Sequence, residues 1–198
     1  MRRWVYVLAA IGTATVLVGT IGALLGYAAV RRGFSARAAP SRLEEWLAVS
    51  MRRWSTPANV RDANNPVVVT PAVLREARAH WADHCAICHA NDGSGDTQIG
   101  RNLYPRAPDI RAERTQHLTD GELYSIIENG IRLTGMPAWG ASASMKDEET
   151  WALVAFIRHL PKLSEQELRE MERLNPKGPE ERDEEREEQE FLNQGERR

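Results

Sequence analysis

The sequence predicts an all-α protein, a small helical domain preceded by a single transmembrane helix. Three observations carry this. The run Trp4–Val30 holds 27 residues without a charge. Downstream, apolar residues recur at helical spacing behind residues suited to N-capping. No segment alternates like a strand, since Val67-Val68-Val69 is short and bounded by proline.

The apolar run comes first. At about 1.5 Å per residue it is long enough for a hydrocarbon core of roughly 30 Å. Arg2-Arg3 and Arg31-Arg32 flank it. Ala36-Arg37-Ala38 resembles a signal-peptidase site, but a cleaved signal's apolar core spans only about 7 to 15 residues. An uncleaved anchor over residues 1–34 is therefore expected. Arginines on both sides leave its orientation open on charge alone.

Residues 35–69 are expected to be a linker. Within it, Leu43, Trp46, Leu47, Ser50 and Trp54 repeat at helical spacing beside Arg52 and Arg53. A short helix lying on lipid headgroups fits that pattern, and so does a mobile linker. Pro57, Pro66 and Pro71 with Asn64-Asn65 suggest an extended chain over residues 55–71. About 40 residues of flexible tether would reach roughly 30–40 Å.

Charge divides the chain in the same places. Residues 1–69 carry nine Arg against three acids, a net of +6, whereas residues 70–161 carry nine bases against twelve acids, a net of −3. An acidic folded portion disfavours a nucleic-acid-binding protein. Two cysteines this close in sequence exclude a disulfide scaffold.

Residues 70–161 read as the folded domain. Thr70 can cap a helix with Pro71 in its first turn, and Val73, Leu74, Ala77 and Trp81 succeed it at helical spacing. Thr119-Asp120-Gly121-Glu122 is a capping box before Leu123, Ile126 and Ile127, with Gly130 suited to an αL stop. Asp147 can cap a last helix whose buried face is Trp151, Val154, Ala155 and Ile157. In the charged tail, 162–198, Ser164-Glu165-Gln166-Glu167 is a second capping box before the narrow stripe Leu168, Met171 and Leu174. Residues 179–190 are almost all Glu and Arg and read as a solvated tail or a docking arm.

Residues 85–89, Cys-Ala-Ile-Cys-His, carry the chemistry. Two thiols three positions apart can each add to one of two vinyl groups on a haem edge. The histidine after the second thiol, His89, is then held against the iron as the proximal ligand. A thioredoxin-like pair wants a strand before it, and here the preceding stretch is helical. A zinc site wants two further ligands at finger-like spacing, and there is no second cysteine pair. Met136, in Thr134-Gly135-Met136-Pro137, sits in a loop bounded by glycine and proline. A thioether there suits the distal position of a low-spin iron. Met51, Met145 and Met171 are weaker rivals, and His80, His84, His117 or His159 would give a bis-histidine site.

In this order the residues resemble a class I c-type cytochrome, a monohaem family, here membrane-anchored. The match covers residues 72–161: Cys85, Cys88 and His89 at the end of a helix, the polar Gly-rich run 91–96, Pro105 and Pro108, the helix 120–129, Met136-Pro137 and the helix 148–160. The resemblance implies an all-α fold around one covalent haem c. Its first and last helices cross near a right angle, with Ala77 and Trp81 facing the last helix. It implies a proline carbonyl accepting the proximal imidazole N–H, a role for Pro108 with Pro105 as rival. Ala90 stands where relatives often carry glycine.

The function implied is one-electron transfer by an electron carrier rather than an enzyme, within a respiratory or other membrane electron-transport chain. The carrier is either free or a subunit of an oxidoreductase complex. The partners implied are the membrane and redox proteins, with no nucleic acid and no small-molecule substrate. A haem-based sensor is the alternative, and it needs an open or labile sixth position. A peroxidase would need a distal acid–base set; Arg114 and His117 are imaginable there, but nothing in the sequence places them. Haem attachment of this kind implies a single-pass protein of the cytoplasmic membrane, its N-terminus cytoplasmic and its haem domain on the periplasmic side.

Overall fold

The computed structural model describes residues 2–140, 145–178 and 186. Every regular element among them is helical. The chain forms two compact units, residues 1–38 and 39–198. The first is one helix, α1 (Arg2–Arg32), long and apolar enough to cross a membrane.

The second unit opens with α2 (Arg42–Ser55), whose Ser41 side chain accepts from the Glu44 N–H. A single turn, α3 (Ala58–Arg61), comes next. The stretch expected to be an extended tether lies along the domain. The Thr119 hydroxyl donates to the Arg61 carbonyl, and the Asn65 amide donates to the Trp151 carbonyl at 2.8 Å. Ala63 and Val67 pack on the core. The compact unit begins at Ala39, so the segment between it and α1 is much shorter than 40 residues.

The core is built on α4 (Pro71–His80) and α9 (Glu148–His159). Thr70 and Pro71 start α4 as the sequence predicts. At Trp81–Cys85 the helix widens into a π-turn, with the Ala86 N–H bonded to the Trp81 carbonyl, and continues as α5 (Ala86–His89). Trp81 and Phe156 meet with ring centroids 5.8 Å apart, both buried. Phe156 lies outside the face expected from spacing, because α9 buries every residue from Thr150 to Ile157 except the half-buried Ala152. A helix enclosed on every side shows no amphipathic stripe to read.

The chain between these helices folds as α6 (Gln98–Asn102), α7 (Glu113–Gln116) and α8 (Asp120–Asn129). The capping box at Thr119 forms as expected. Gly130 does take a positive φ of 62°, but its ψ of −167° lies outside the αL well. The chain leaves α8 sharply there, and a Cβ at Gly130 would come within 2.7 Å of the Met136 carbonyl.

After α9, a 3₁₀ turn (Leu160–Lys162) leads to α10 (Glu165–Leu174), opened by the second capping box. Met171, expected in an acidic tail, is fully buried against the core. Met145, one of the weaker rival ligands, is partly buried against it. The stretch 179–190 lies outside the described residues, apart from Arg186.

Candidate haem site

The π-turn sets the register of the attachment motif. Widening the helix by one residue per turn rotates the downstream residues by about 100° relative to a regular α-helix. Trp81 and Ala82 stay buried, while Cys85 and Cys88 are each half-buried free thiols. Burial pushes the Cys85 thiol up to about 12, with the neighbouring Cys88 adding to it. Burial also raises the Cys88 thiol.

His89 closes α5. Burial lowers its basicity, and the Pro108 backbone opposes that by acting as a hydrogen-bond acceptor to the ring. The approach falls short of a full bond at Nδ1, which is buried without a partner. Such an orphan is a costly arrangement unless something completes it. The Trp81 ring lies 5.8 Å from the imidazole.

The loop beneath the motif is fixed by backbone bonds. The Gly95 N–H donates to the His89 carbonyl at 2.8 Å, and the Ile110 N–H to the Gly93 carbonyl at 2.8 Å. Gly95 has φ +73°, and a Cβ there would sit 2.9 Å from the Pro108 carbonyl oxygen. Glycine at 95 thus lets the Pro108 segment close on the histidine. Arg111 ties the loop's two sides together, bonding Asp109 and reaching Asp92 at 2.7 Å. Its guanidinium holds the Asp109 carboxyl below the usual carboxylate range, against a smaller upward pull from burial.

Ala90 comes next with φ 62° and ψ 161°, in a region essentially restricted to glycine. Its carbonyl accepts the Trp81 indole N–H at 3.0 Å, which holds it there. Alanine in place of glycine here is strained, at a cost on the order of 1–3 kcal/mol.

On the other side, Thr97 caps α6 through the Gly100 N–H and donates to the Ile87 carbonyl at 2.8 Å. Leu103, just past α6, lies over Gly135 so closely that a Cβ there would come within 2.6 Å of it. Trp139 sets its edge against His84, centroids 5.5 Å apart. The loop carrying Met136 therefore meets the residue before the attachment motif at one point and the end of α6 at another. Met136 is half-buried, its N–H bonded to the Thr134 hydroxyl and its carbonyl to the Ile131 N–H at 3.1 Å.

The rival ligands have other surroundings. His159 bonds Glu167 at 3.0 Å, and His117 is exposed beside Glu113. His80 stacks near His84, centroids 4.8 Å apart, within 3.9 Å of Glu149. Met51 is exposed on α2, and Met171 is enclosed beneath α10. Pro105 comes after a cis peptide bond, and it is Pro108 whose carbonyl faces His89.

Sequence reasoning missed three supports. The π-turn leaves no residue-type signature. The Trp81-to-Ala90 bond joins residues whose side-chain and backbone roles differ. The buried Glu128 accepts from the Thr150 hydroxyl at 2.9 Å under the loop at Gly140, and a lone carboxylate on α8 carries no local signal of that burial.

The residues fit covalently held haem. Two thiols one helical turn apart, the adjacent half-buried imidazole and a thioether in a nearby loop form the donor set that such a group requires, and the orphaned Nδ1 faces the Pro108 backbone, leaving the other ring nitrogen for iron. Residues 72–157 match the family described as "Cytochrome C oxidase, cbb3-type, subunit III". The match runs from α4 into α9 and takes in both cysteines, His89 and Met136. No curated protein matches the chain.

Proposed function

Residues 72–157 form a c-type cytochrome domain with covalently bound haem c, and from that premise we propose that the chain is a membrane-anchored one-electron carrier with His89 and Met136 as axial ligands. When bound, haem c supplies an iron that alternates between ferrous and ferric forms. The protein's own groups fix the ligands. His89 is held at the end of a continuous helix, and the Pro108 carbonyl is the acceptor that would orient its ring once the haem is bound. Met136 presents a soft thioether from a loop stiffened by Pro137 and pinned at Gly130, Ile131 and Trp139. Trp81, Phe156 and Trp151 exclude water from the domain's core. A closed, rigid ligand set changes little between oxidation states, and that suits electron transfer rather than substrate binding.

The observation that carries this reading is that the Met136 loop touches His84, the residue before Cys85, through Trp139, and Leu103, just past α6, through Gly135. α1 serves as the anchor, crossing the cytoplasmic membrane once with its short N-terminus inside. The haem domain works on the outer face, in a respiratory or related electron-transport chain, alone or as a subunit of an oxidoreductase complex. Its redox partners exchange electrons at the haem edge held by Cys85 and Cys88.

Optical spectra of the purified holoprotein test the ligation. The oxidised wild type is expected to show the weak sulfur-to-iron charge-transfer band and to ignore carbon monoxide when reduced. Met136→Ala is expected to lose the band and bind carbon monoxide. A wild type that lacks the band and binds carbon monoxide readily would give the reading over to a haem sensor.

A further inference from the structure

The helix α2 is docked the wrong way round for water. Successive residues of an α-helix step by about 100°, so Leu43, Leu47 and Trp54 fall within one narrow arc, with Met51 at its edge. Glu45, Arg52 and Thr56 fall on the opposite side, with Val49 among them as its one partly buried apolar residue. It is this polar side that meets the haem domain. Glu45 pairs with Arg114, and Glu44 at the flank accepts from the Tyr104 hydroxyl. Arg52 is half-buried near Glu122, across a cleft that Ser125 and Asn129 of α8 also line. The apolar arc faces outward, with Leu43 65%, Met51 63% and Trp54 76% exposed.

We propose that this outward face of α2 lies in the headgroup layer of the membrane that α1 crosses, and that its polar face clamps the haem domain there in a fixed orientation. The inference rests on the reading of α1 as an anchor. Three features select a lipid surface as the occupant. The chain between α1 and α2, residues 33–41, spans at most roughly 35 Å when fully extended. Turns closed by the Gly33 N–H on Val30 and the Ala38 N–H on Ser35 shorten that reach. Trp46 and Trp54 are amphipathic rings of the type that settles at a headgroup boundary. Arg42 and Arg53 stay exposed at the two ends of the helix, where they can meet anionic phosphates. Clamped so, the domain does not swing on a tether. Its haem edge keeps one height and one heading, and only partners that reach that position exchange electrons with it.

The full-length holoprotein, reconstituted in phosphatidylethanolamine/phosphatidylglycerol vesicles, tests this. Single cysteines at Leu47→Cys, Trp54→Cys and, as a water-facing control, Glu113→Cys take a nitroxide label, each variant first checked for its haem spectrum. Labels at 47 and 54 are expected to collide with dissolved oxygen at least several-fold more than with a water-soluble nickel chelate, and the label at 113 to show the reverse. Labels at 47 and 54 that meet the chelate freely, in protein retained by the vesicles after carbonate washing, overturn the proposal and leave the anchor standing. Labels shielded from both probes place a protein partner there and also overturn it. Protein released by carbonate sinks the anchor itself. A second measurement, free of labels, is energy transfer from a headgroup-linked fluorophore to the haem. The wild type is expected to quench strongly, and Arg114→Glu, which breaks the pair with Glu45, to quench less. Equal quenching would mean that no clamp exists.

Discussion

Two helices lie just outside the cytochrome domain, α2 before it and α10 after it, and they dock in opposite senses. Both are amphipathic and capped at the N-terminus by serine. α10 turns its apolar stripe inward: Met171 is fully buried, and Glu167 and Glu170 at its edge bond Arg78. α2 turns Glu45 and Arg52 inward and its tryptophans outward. Amphipathicity therefore does not say which face a helix buries. It says only that the two faces meet different surroundings. For α10 these are core and water; for α2 they are the domain's charged flank and a second apolar medium.

The sharpest way to break this comparison is to truncate one apolar residue on each helix. Met171→Ala should destabilise the holoprotein by about 2–5 kcal/mol, since it removes a fully enclosed side chain and leaves a cavity. Leu47→Ala should change the stability of the haem domain by less than about 0.5 kcal/mol. Denaturant titration monitored by the haem absorbance measures both. Comparable losses would mean that α2 is packed through its apolar face after all.

A smaller effect sharpens the role of α10. The Asn175 side chain at its end bonds Asn91 and the Ala82 carbonyl, bracing the turn that holds Ala90 at φ 62°. Ala90→Gly should raise stability by about 1 kcal/mol, the relief of strain being partly offset by glycine's greater freedom when unfolded. A loss of stability would show that the turn is not strained.

The smallest effect is in acid. Burial pulls the Glu167 carboxyl up, but bonds from the Ser164 N–H and hydroxyl and from His159 outweigh it and hold the carboxyl below its ordinary 4.5. A depressed folded-state value contributes stability that is present above the unfolded value and is lost as pH falls through the folded one. Stability measured between pH 6 and pH 3 should therefore fall less steeply in Glu167→Gln than in the wild type. Identical slopes would remove Glu167 from the docking of α10.

Much was legible in the sequence because it is local. Cys85, Cys88 and His89 are fixed by spacing within one helical turn. The caps at Thr70, Thr119, Asp147 and Ser164 are read from a residue and its neighbours three positions on. The apolar run of α1 needs only a count. The sequence by itself thus determined the all-α class, the haem motif and the order of elements, because short-range hydrogen bonding and covalent spacing decide them. Tertiary structure alone decided that Phe156 is buried on a helix enclosed on most sides, that Met171 of an acidic segment fills the core, that Arg61, Ala63, Asn65 and Val67 are held against the domain, and that α2 presents Glu45 and Arg52 inward. Each depends on a partner far away in the chain, and no local pattern encodes which of two possible faces that partner will meet.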